Sequence, residues 1–351
     1  MSRRTPGSRG RARSTAETAR PLTRRCPGPA DGSRWGEGDF DTRPPEGLSP
    51  HLVKTVKGYL LHAHLDEDWS ELVVAAVRGR SRLVTCKSIF PLRILNPQST
   101  TQCCHVVLSN FGGGLVQGDT IRLQISCEEN SVLYVGSQAN TRIFKNPDRN
   151  GPIQFVQGRL AEGALAVFNP DPLVPHQASS FKQIQEWSLE NSSAFLLIDW
   201  LQSGRSLRGE RFAYNAFTSE VRIRRENKTI LLDTFESRPS DYSPSSMARF
   251  GPYETFLTIY FLGGRLDPVV DQLQDRYPNR ERSAVKDLRD PRNDPISLPQ
   301  RIVSISPCKN EGYIVRALGR QRSDLQPIVD QLFDSLSQAD LLGFNPLIRK
   351  Y

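Results

Sequence analysis

The sequence predicts a mainly β protein of many short strands with two α-helices late in the chain. Three features carry that expectation. Apolar and polar residues alternate with period two beyond the first fifty residues, helical apolar spacing is convincing in only two segments, and strand–helix–strand alternation is missing. At 351 residues, with 37% apolar and 24% charged residues, 25 Gly and 25 Pro, there is room for one large β domain with loop-rich appendages.

The clearest strand is Thr120 to Cys127, where Ile121, Leu123, Ile125 and Cys127 alternate with Arg122, Gln124 and Ser126. A turn at Glu128-Glu129-Asn130-Ser131 leads into Val132-Leu133-Tyr134-Val135, and the two runs are expected to pair as a hairpin. Further strands are expected at 71–77, 105–109, 164–168, 194–201, 221–225, 229–235, 255–261 and 301–305. The first helix should open with Asp267 as N-cap and Pro268 in its first turn, with Leu266, Val269, Val270, Leu273 and Tyr277 at helical spacing. The second should open on a capping box of Ser323 and Gln326. Its apolar stripe is Leu325, Ile328, Val329, Leu332, Phe333 and Leu336, and Gly343 is the expected stop. Residues 238–252, rich in Ser and Pro, and 278–299, rich in charge and Pro, read as loop insertions.

The net charge of +8 is concentrated at one end. Residues 1–25 hold eight arginines against a single acid, Glu17, and leave the remainder nearly neutral. Residues 1–50, rich in Arg, Ser, Pro and Gly, are expected to be a disordered extension and 51–351 the folded domain. An organelle transit peptide has a similar composition, but Pro6, Gly7, Gly10 and Pro21 interrupt any amphipathic helix there. A nearly neutral body lacks the clustered Lys and Arg that phosphate-backbone binding needs, so no nucleic-acid partner is expected. No run approaches the roughly 18 apolar residues of a membrane span, and no apolar signal core opens the chain, so no membrane association and a cytoplasmic location are expected.

Six cysteines at irregular spacing form neither a disulfide framework nor a zinc pattern. Cys103-Cys104-His105 concentrates soft ligands, but only Cys103 and His105 can share a strand face, which suits buried strand residues better than a metal site. Gly112-Gly113-Gly114-Leu115-Val116-Gln117-Gly118-Asp119 has the glycines of a phosphate loop. It lacks the Lys-Ser/Thr that opens a helix, and a strand follows it, so on its own it reads as a tight turn.

Five motifs in order carry more information. They are Gly113-Gly114-x-Val116-x-Gly118-Asp119; Gln138-Ala139-x-Thr141-Arg142-x-Phe144-Lys145; Pro170-Asp171-Pro172; Asp199-Trp200-x-x-Ser203-Gly204-Arg205, followed by Gly209-Glu210; and Leu231-Leu232-Asp233-Thr234. Together they resemble the urease accessory protein UreD family, called UreH in some bacteria, over residues 55–351. Arg142, Phe144, Asn110-Phe111 and Tyr351 depart mildly from the usual pattern. The resemblance implies a β-helix-like fold of many strands with two helices and a chaperone without catalytic residues. It also implies binding to a UreF homologue, recruitment of the GTPase UreG through it, and delivery of nickel to apo-urease, with Ni²⁺ in transit and no resident cofactor.

Where nickel would travel is a question about acids. In the strand at 194–201, Asp199 shares one apolar face with Phe195, Leu197 and Leu201, while Leu196, Ile198 and Trp200 form a second, so Asp199 is expected to be buried. Asp233 lies between Leu231 and Phe235, and Asp119 at the mouth of a strand. A buried carboxylate costs several kcal/mol unless a cation, hydrogen bonds or water compensate it. One reading has Asp119, Asp199 and Asp233, with the Thr141 hydroxyl, lining a hydrated passage whose oxygen ligands hold Ni²⁺ weakly enough to release it. The other has these acids capping turns or pairing with Arg205, Arg142 or Arg316. His176 is a further candidate ligand, though a lone loop histidine is more often an ordinary polar residue. Two other classes compete: a β-solenoid carbohydrate-active enzyme using Asp119 and Asp199 as an acid pair, and an RNA-associated protein using the basic tail.

Overall fold

A computed structural model describes residues 69–97, 101–146, 150–278 and 298–349. The basic stretch 1–50 and the interior of the 278–299 insertion lie outside the described residues. In chain order the strands are β1 (Ser70–Val77), β2 (Arg80–Lys87), β3 (Leu92–Leu95), β4 (Cys104–Asn110), β5 (Gly114–Leu115), β6 (Thr120–Cys127), β7 (Val132–Ser137), β8 (Thr141–Ile143), β9 (Ile153–Leu160), β10 (Leu165–Asn169), β11 (Leu173–Pro175), β12 (Ser180–Leu189), β13 (Ala194–Gln202), β14 (Ala216–Arg225), β15 (Lys228–Ser237), β16 (Thr255–Leu262), β17 (Arg301–Pro307) and β18 (Tyr313–Gly319). Helix α1 (Asp267–Arg276) precedes β17, and α2 (Arg322–Leu336) follows β18.

The chain winds as a solenoid. One sheet has the order β15-β14-β12-β9-β6-β1-β2 and the other β17-β18-β16-β13-β10-β7-β4-β3, while β5, β8 and β11 form a short third face. From β4 to β14 each turn visits the faces in rotation, so β6, β9, β12 and β14 stack in parallel, as do β4, β7, β10 and β13. Antiparallel pairs, β1–β2 and β14–β15 in one sheet and β13–β16–β18–β17 in the other, extend the stacks. A mainly β, β-helix-like fold with two late helices is therefore what the chain adopts.

The expected hairpin does not form. β6 pairs with β1 and β9, β7 pairs with β4 and β10, and the Glu128–Ser131 turn carries the chain from one sheet to the other. The turn is held by neighbouring coils: the Glu128 amide donates to the Val74 carbonyl at 2.8 Å and the Asn130 amide to Glu162 at 2.9 Å. A short turn between two apolar strands satisfies a corner between sheets as well as it does a hairpin, and the apolar faces of β7, buried on both sides, favour the corner.

Two apolar layers result. Inside the solenoid, Leu72, Leu123, Val156, Trp187, Phe195, Leu197 and Ile223 fill the space between the sheets. Outside the second sheet, Leu165, Val167, Leu196, Ile198 and Trp200 meet Val269, Val270 and Leu273 of α1 and the stripe of α2. β13 faces both layers, which is why both of its faces are apolar.

The helix ends differ from expectation by a few residues. Leu266 is the N-cap of α1 and Asp267 is already helical, because a 3-10 turn at Gly264–Leu266 runs into the helix. The capping box of α2 is Gln321 with Asp324, since Gln321 is still extended as it leaves β18; the Gln321 amide donates to Asp324 Oδ2 at 2.9 Å. α2 ends at Leu336 with Ser337 as cap, and Gly343 sits in a later turn, its amide on the Gln338 carbonyl at 2.9 Å. Residues 238–252 are a run of turns whose Phe250 ring packs edge-on to Phe256 at 4.4 Å.

Candidate functional site

The inward faces of β12 and β14 are not wholly apolar. Between Phe181 and Trp187 the strand β12 points Gln183 and Gln185 inward, and β14 places Ser219 directly beside Gln183. These groups face Asp199 of β13. Gln183 Nε2 donates to Asp199 Oδ2 at 3.0 Å, Ser219 Oγ donates to the same oxygen at 3.1 Å, and Gln183 Nε2 also donates to Ser219 Oγ at 2.7 Å. No arginine or lysine of the described residues pairs with Asp199. Burial pushes its carboxyl above the ordinary aspartate range, the two donors pull it back, and Asp233 nearby pushes it up again.

Asp199 stands where two cavities meet, and among the described residues it alone lines both. The larger, about 360 Å³, is also lined by Ser219, Asp233, Thr258, Tyr260 and Arg316. Asp233 of β15 accepts from the Tyr260 hydroxyl at 2.9 Å and from Arg316 Nη2 at 2.7 Å, both on Oδ2. The smaller, about 200 Å³, is lined by Asn140, Thr141, Gln154, Asp171 and Gln185. Thr141 Oγ1 accepts from Asn110 Nδ2 at 3.4 Å, and the buried Gln185 Oε1 has no hydrogen-bond partner. Asp171 accepts from Ser137 Oγ at 3.1 Å and pairs with Arg322 at 3.4 Å.

The fold thus brings Thr141, Asp199 and Asp233 to two cavities that share Asp199 in their walls and leaves Asp119 elsewhere. Asp119 closes the turn after β5: its Oδ2 accepts the Val116 amide at 2.8 Å, its own amide donates to the Val116 carbonyl at 3.1 Å, and it lines neither cavity. Turn capping describes Asp119 and pairing with Arg316 describes Asp233, but neither describes Asp199. An acid pair of Asp119 and Asp199 on one substrate has no support in this geometry. Arg205 pairs with Glu210, and Arg142 forms no ion pair among the described residues.

The remaining motif residues build the frame. Gly113, Gln138, Pro170 and Asp171 line the smaller cavity, and the Pro172 carbonyl accepts the Thr141 amide at 3.1 Å. Gly114 lies against β8 so closely that a Cβ would stand 2.5 Å from the Arg142 carbonyl oxygen, a contact no other residue tolerates. Gly118 belongs to the Asp119 turn, Gly204 lies under the Glu210 carbonyl, and Lys145 is exposed beyond β8.

His176 is 7% exposed and packs edge-on to Phe144 at 5.1 Å. Burial, then the neighbouring Arg205, holds it below the usual histidine range, and Arg142 and Arg208 add to the positive field, a poor setting for a cation. Cys103 and His105 are buried on the helix side of the second sheet, His105 5.1 Å from the Tyr134 ring, with Cys104 on the inner side. Among the described residues no group of three or more His, Cys, Asp or Glu could hold a metal ion, and no described helix is long and apolar enough to cross a membrane.

Sequence reasoning missed Gln183, Gln185, Ser219 and Tyr260. Their only signal is a polar residue at an inward strand position, legible once the register of β12, β14 and β16 is known.

The chain resembles known proteins over most of its length. The profile of the UreD urease accessory protein family matches residues 68–350. The chain is 33% identical over 293 residues to a protein named urease accessory protein UreD from Cytophaga hutchinsonii, covering 80% of this chain and 97% of that one. It is 30% identical over 283 residues to the Sorangium cellulosum protein of the same name, covering 80% and 83% of the two chains. With urease accessory protein D of Arabidopsis thaliana it shares 28% identity over 217 residues, covering 60% and 72%.

Proposed function

This chain belongs to the UreD urease accessory protein family and so has a role in urease maturation, and from that premise we propose that it is a chaperone without a catalytic step of its own that passes Ni²⁺ toward apo-urease through its two cavities. The observation that carries the proposal is Asp199, a carboxylate between two cavities that is held by neutral donors and by no cation among the described residues. An oxygen ligand in this state attracts a divalent cation, and the absence of thiolate or imidazole partners keeps the attraction weak enough for release. Gln185 Oε1 and Thr141 Oγ1 in the smaller cavity and Asp233 in the larger one continue the line of oxygens on either side. Ni²⁺ is cargo here, and no resident cofactor is required.

The partners that fit this role are a homologue of UreF, the GTPase UreG recruited through it, and apo-urease, in the cytoplasm. Asp119 is assigned to the turn before β6 rather than to the passage. Co-expression of the full chain with the UreF homologue of the same organism, followed by size-exclusion chromatography, tests the assembly. Co-elution as one soluble complex is the expected result, and separate elution of two folded proteins would remove the partner assignment. Urease activation in cells carrying Asp199→Ala tests the passage: loss of activation with the chain still folded is expected, and full activation would refute it.

A further inference from the structure

Each cavity contains an aspartate paired with an arginine from the C-terminal part of the chain: Asp233 with Arg316 of β18 in the larger, Asp171 with Arg322 of α2 in the smaller. Asp199 between them has only neutral donors. The two pairs are built differently. Asp171 is 3% exposed, and Arg322 is fixed on two further sides, by a hydrogen bond to Asn140 Oδ1 at 3.0 Å and by the Trp200 ring, 5.5 Å from its guanidinium carbon. Arg316 keeps 59% of its side chain in solvent, and among the described residues its one hydrogen-bond acceptor is Asp233 Oδ2. The Tyr260 hydroxyl donates to that same oxygen, so the carboxylate stays oriented when the arginine leaves.

We infer that Arg316 is a displaceable counter-ion: it neutralises Asp233 in the resting chain and swings into solvent when a divalent cation takes its place on the carboxylate. This rests on the proposed passage. An exposed ion pair is weak enough to open readily, and a long arginine stem anchored at one end lets the head move while the strand stays in place. The Arg322 pair, its carboxylate buried and its guanidinium held on three sides, stays closed and supports the wall of the smaller cavity. The larger cavity therefore admits cations only against a resident positive charge, which favours a divalent ion over a monovalent one.

Equilibrium dialysis of Ni²⁺ alone against the purified full chain tests this, with a thermal melt on each variant to establish that it is folded. Arg316→Gln should bind Ni²⁺ about three- to five-fold more tightly than wild type, the size of constant an exposed pair sets. Asp233→Asn in that background should abolish the gain and leave binding below the wild-type level. Asp233→Asn alone should bind Ni²⁺ more weakly than wild type, because the carboxylate that takes the ion in place of Arg316 is gone; this arm carries the test if Arg316→Gln does not fold. Unchanged binding in Arg316→Gln, or unchanged binding in Asp233→Asn alone, would overturn the inference. Asp199→Asn separates the two ideas. If it weakens Ni²⁺ binding while Arg316→Gln does nothing, the passage stands and the counter-ion falls; if Arg316→Gln tightens binding and Asp199→Asn has no effect, the counter-ion stands and the passage through Asp199 falls.

Discussion

Trp187 lies on the bare backbone of Gly158, its partner in the adjacent coil, and a Cβ at Gly158 would stand 1.9 Å from the indole Cε3. The indole in turn stacks on Phe195 across the interior, ring centroids 4.1 Å apart. The contact joins β9, β12 and β13 at the centre of the solenoid. Gly158→Ala should therefore cost about 1–3 kcal/mol through overpacking, read as a lower urea midpoint, and Trp187→Phe in the same background should recover part of the loss.

Arg225 ties the end of β14 to the turn between β12 and β13 and to Glu311. Its side chain is 11% exposed, donates from Nε and Nη2 to the two Glu311 carboxylate oxygens at 2.6 Å each, and reaches the carbonyls of Glu190, Asn191 and Ser193. Arg225→Ala should lower stability by about 1–2 kcal/mol because several acceptors, most of them partly buried, lose their donor at once. Arg225→Lys should rescue little, since one ammonium cannot replace the bidentate fork. Chemical denaturation of the two variants measures both effects.

Asp199 links stability to pH. Its folded carboxyl is held above the ordinary aspartate range by burial, so in the window between the two values the folded state holds a proton the unfolded state has lost. Stability from this group is fully present below the unfolded value and falls as pH rises through the folded one. Asp199→Asn should thus raise the melting temperature near pH 7 by about 2–4 °C. The gain should vanish at acid pH, where the wild-type carboxyl is protonated. A pair of melting curves across pH 3–7 checks the sign.

Asp119 and Asp199 should separate functionally. Asp119→Ala removes a turn hydrogen bond and should cost about 1 kcal/mol, with urease activation retained when the chain is expressed at a temperature well below its melting point. Loss of activation in a folded Asp119→Ala protein would return this residue to the passage.

The strands that were legible in sequence are those whose faces differ cleanly, such as Thr120–Cys127, or that are apolar on both, such as Ala194–Gln202. Eight strands escaped, β2, β3, β5, β8, β9, β11, β12 and β18; of these, β9 and β12 carry Gln154, Gln183 and Gln185 at inward positions and so mimic loop composition. The solenoid repeat itself was invisible for a geometric reason. Ile153 lies beside Thr120, Lys182 beside Ile153 and Ala216 beside Ser180, so equivalent positions recur after 33, 29 and 36 residues. Pairing of parallel strands constrains the strands and leaves corner lengths free, and no fixed period survives in the sequence. For the site, the alternation around Asp199 was enough to place it on the inward face of its strand, where it is partly rather than fully buried. The partners of Asp199 and Asp233 come from strands 16–83 positions away, and nothing local in the sequence indicates them.

The position of the two helices has a consequence for synthesis. The part of the second sheet's outer face built by β10 and β13, with Leu165, Val167, Leu196, Ile198 and Trp200, is made before α1 and α2 leave the ribosome, and until they dock it is a broad greasy surface with nothing over it. A nascent or truncated chain that stops short of Leu336 leaves that surface uncovered, so tags and fusions belong at the other end, and loss of even the last helix should send the protein to inclusion bodies.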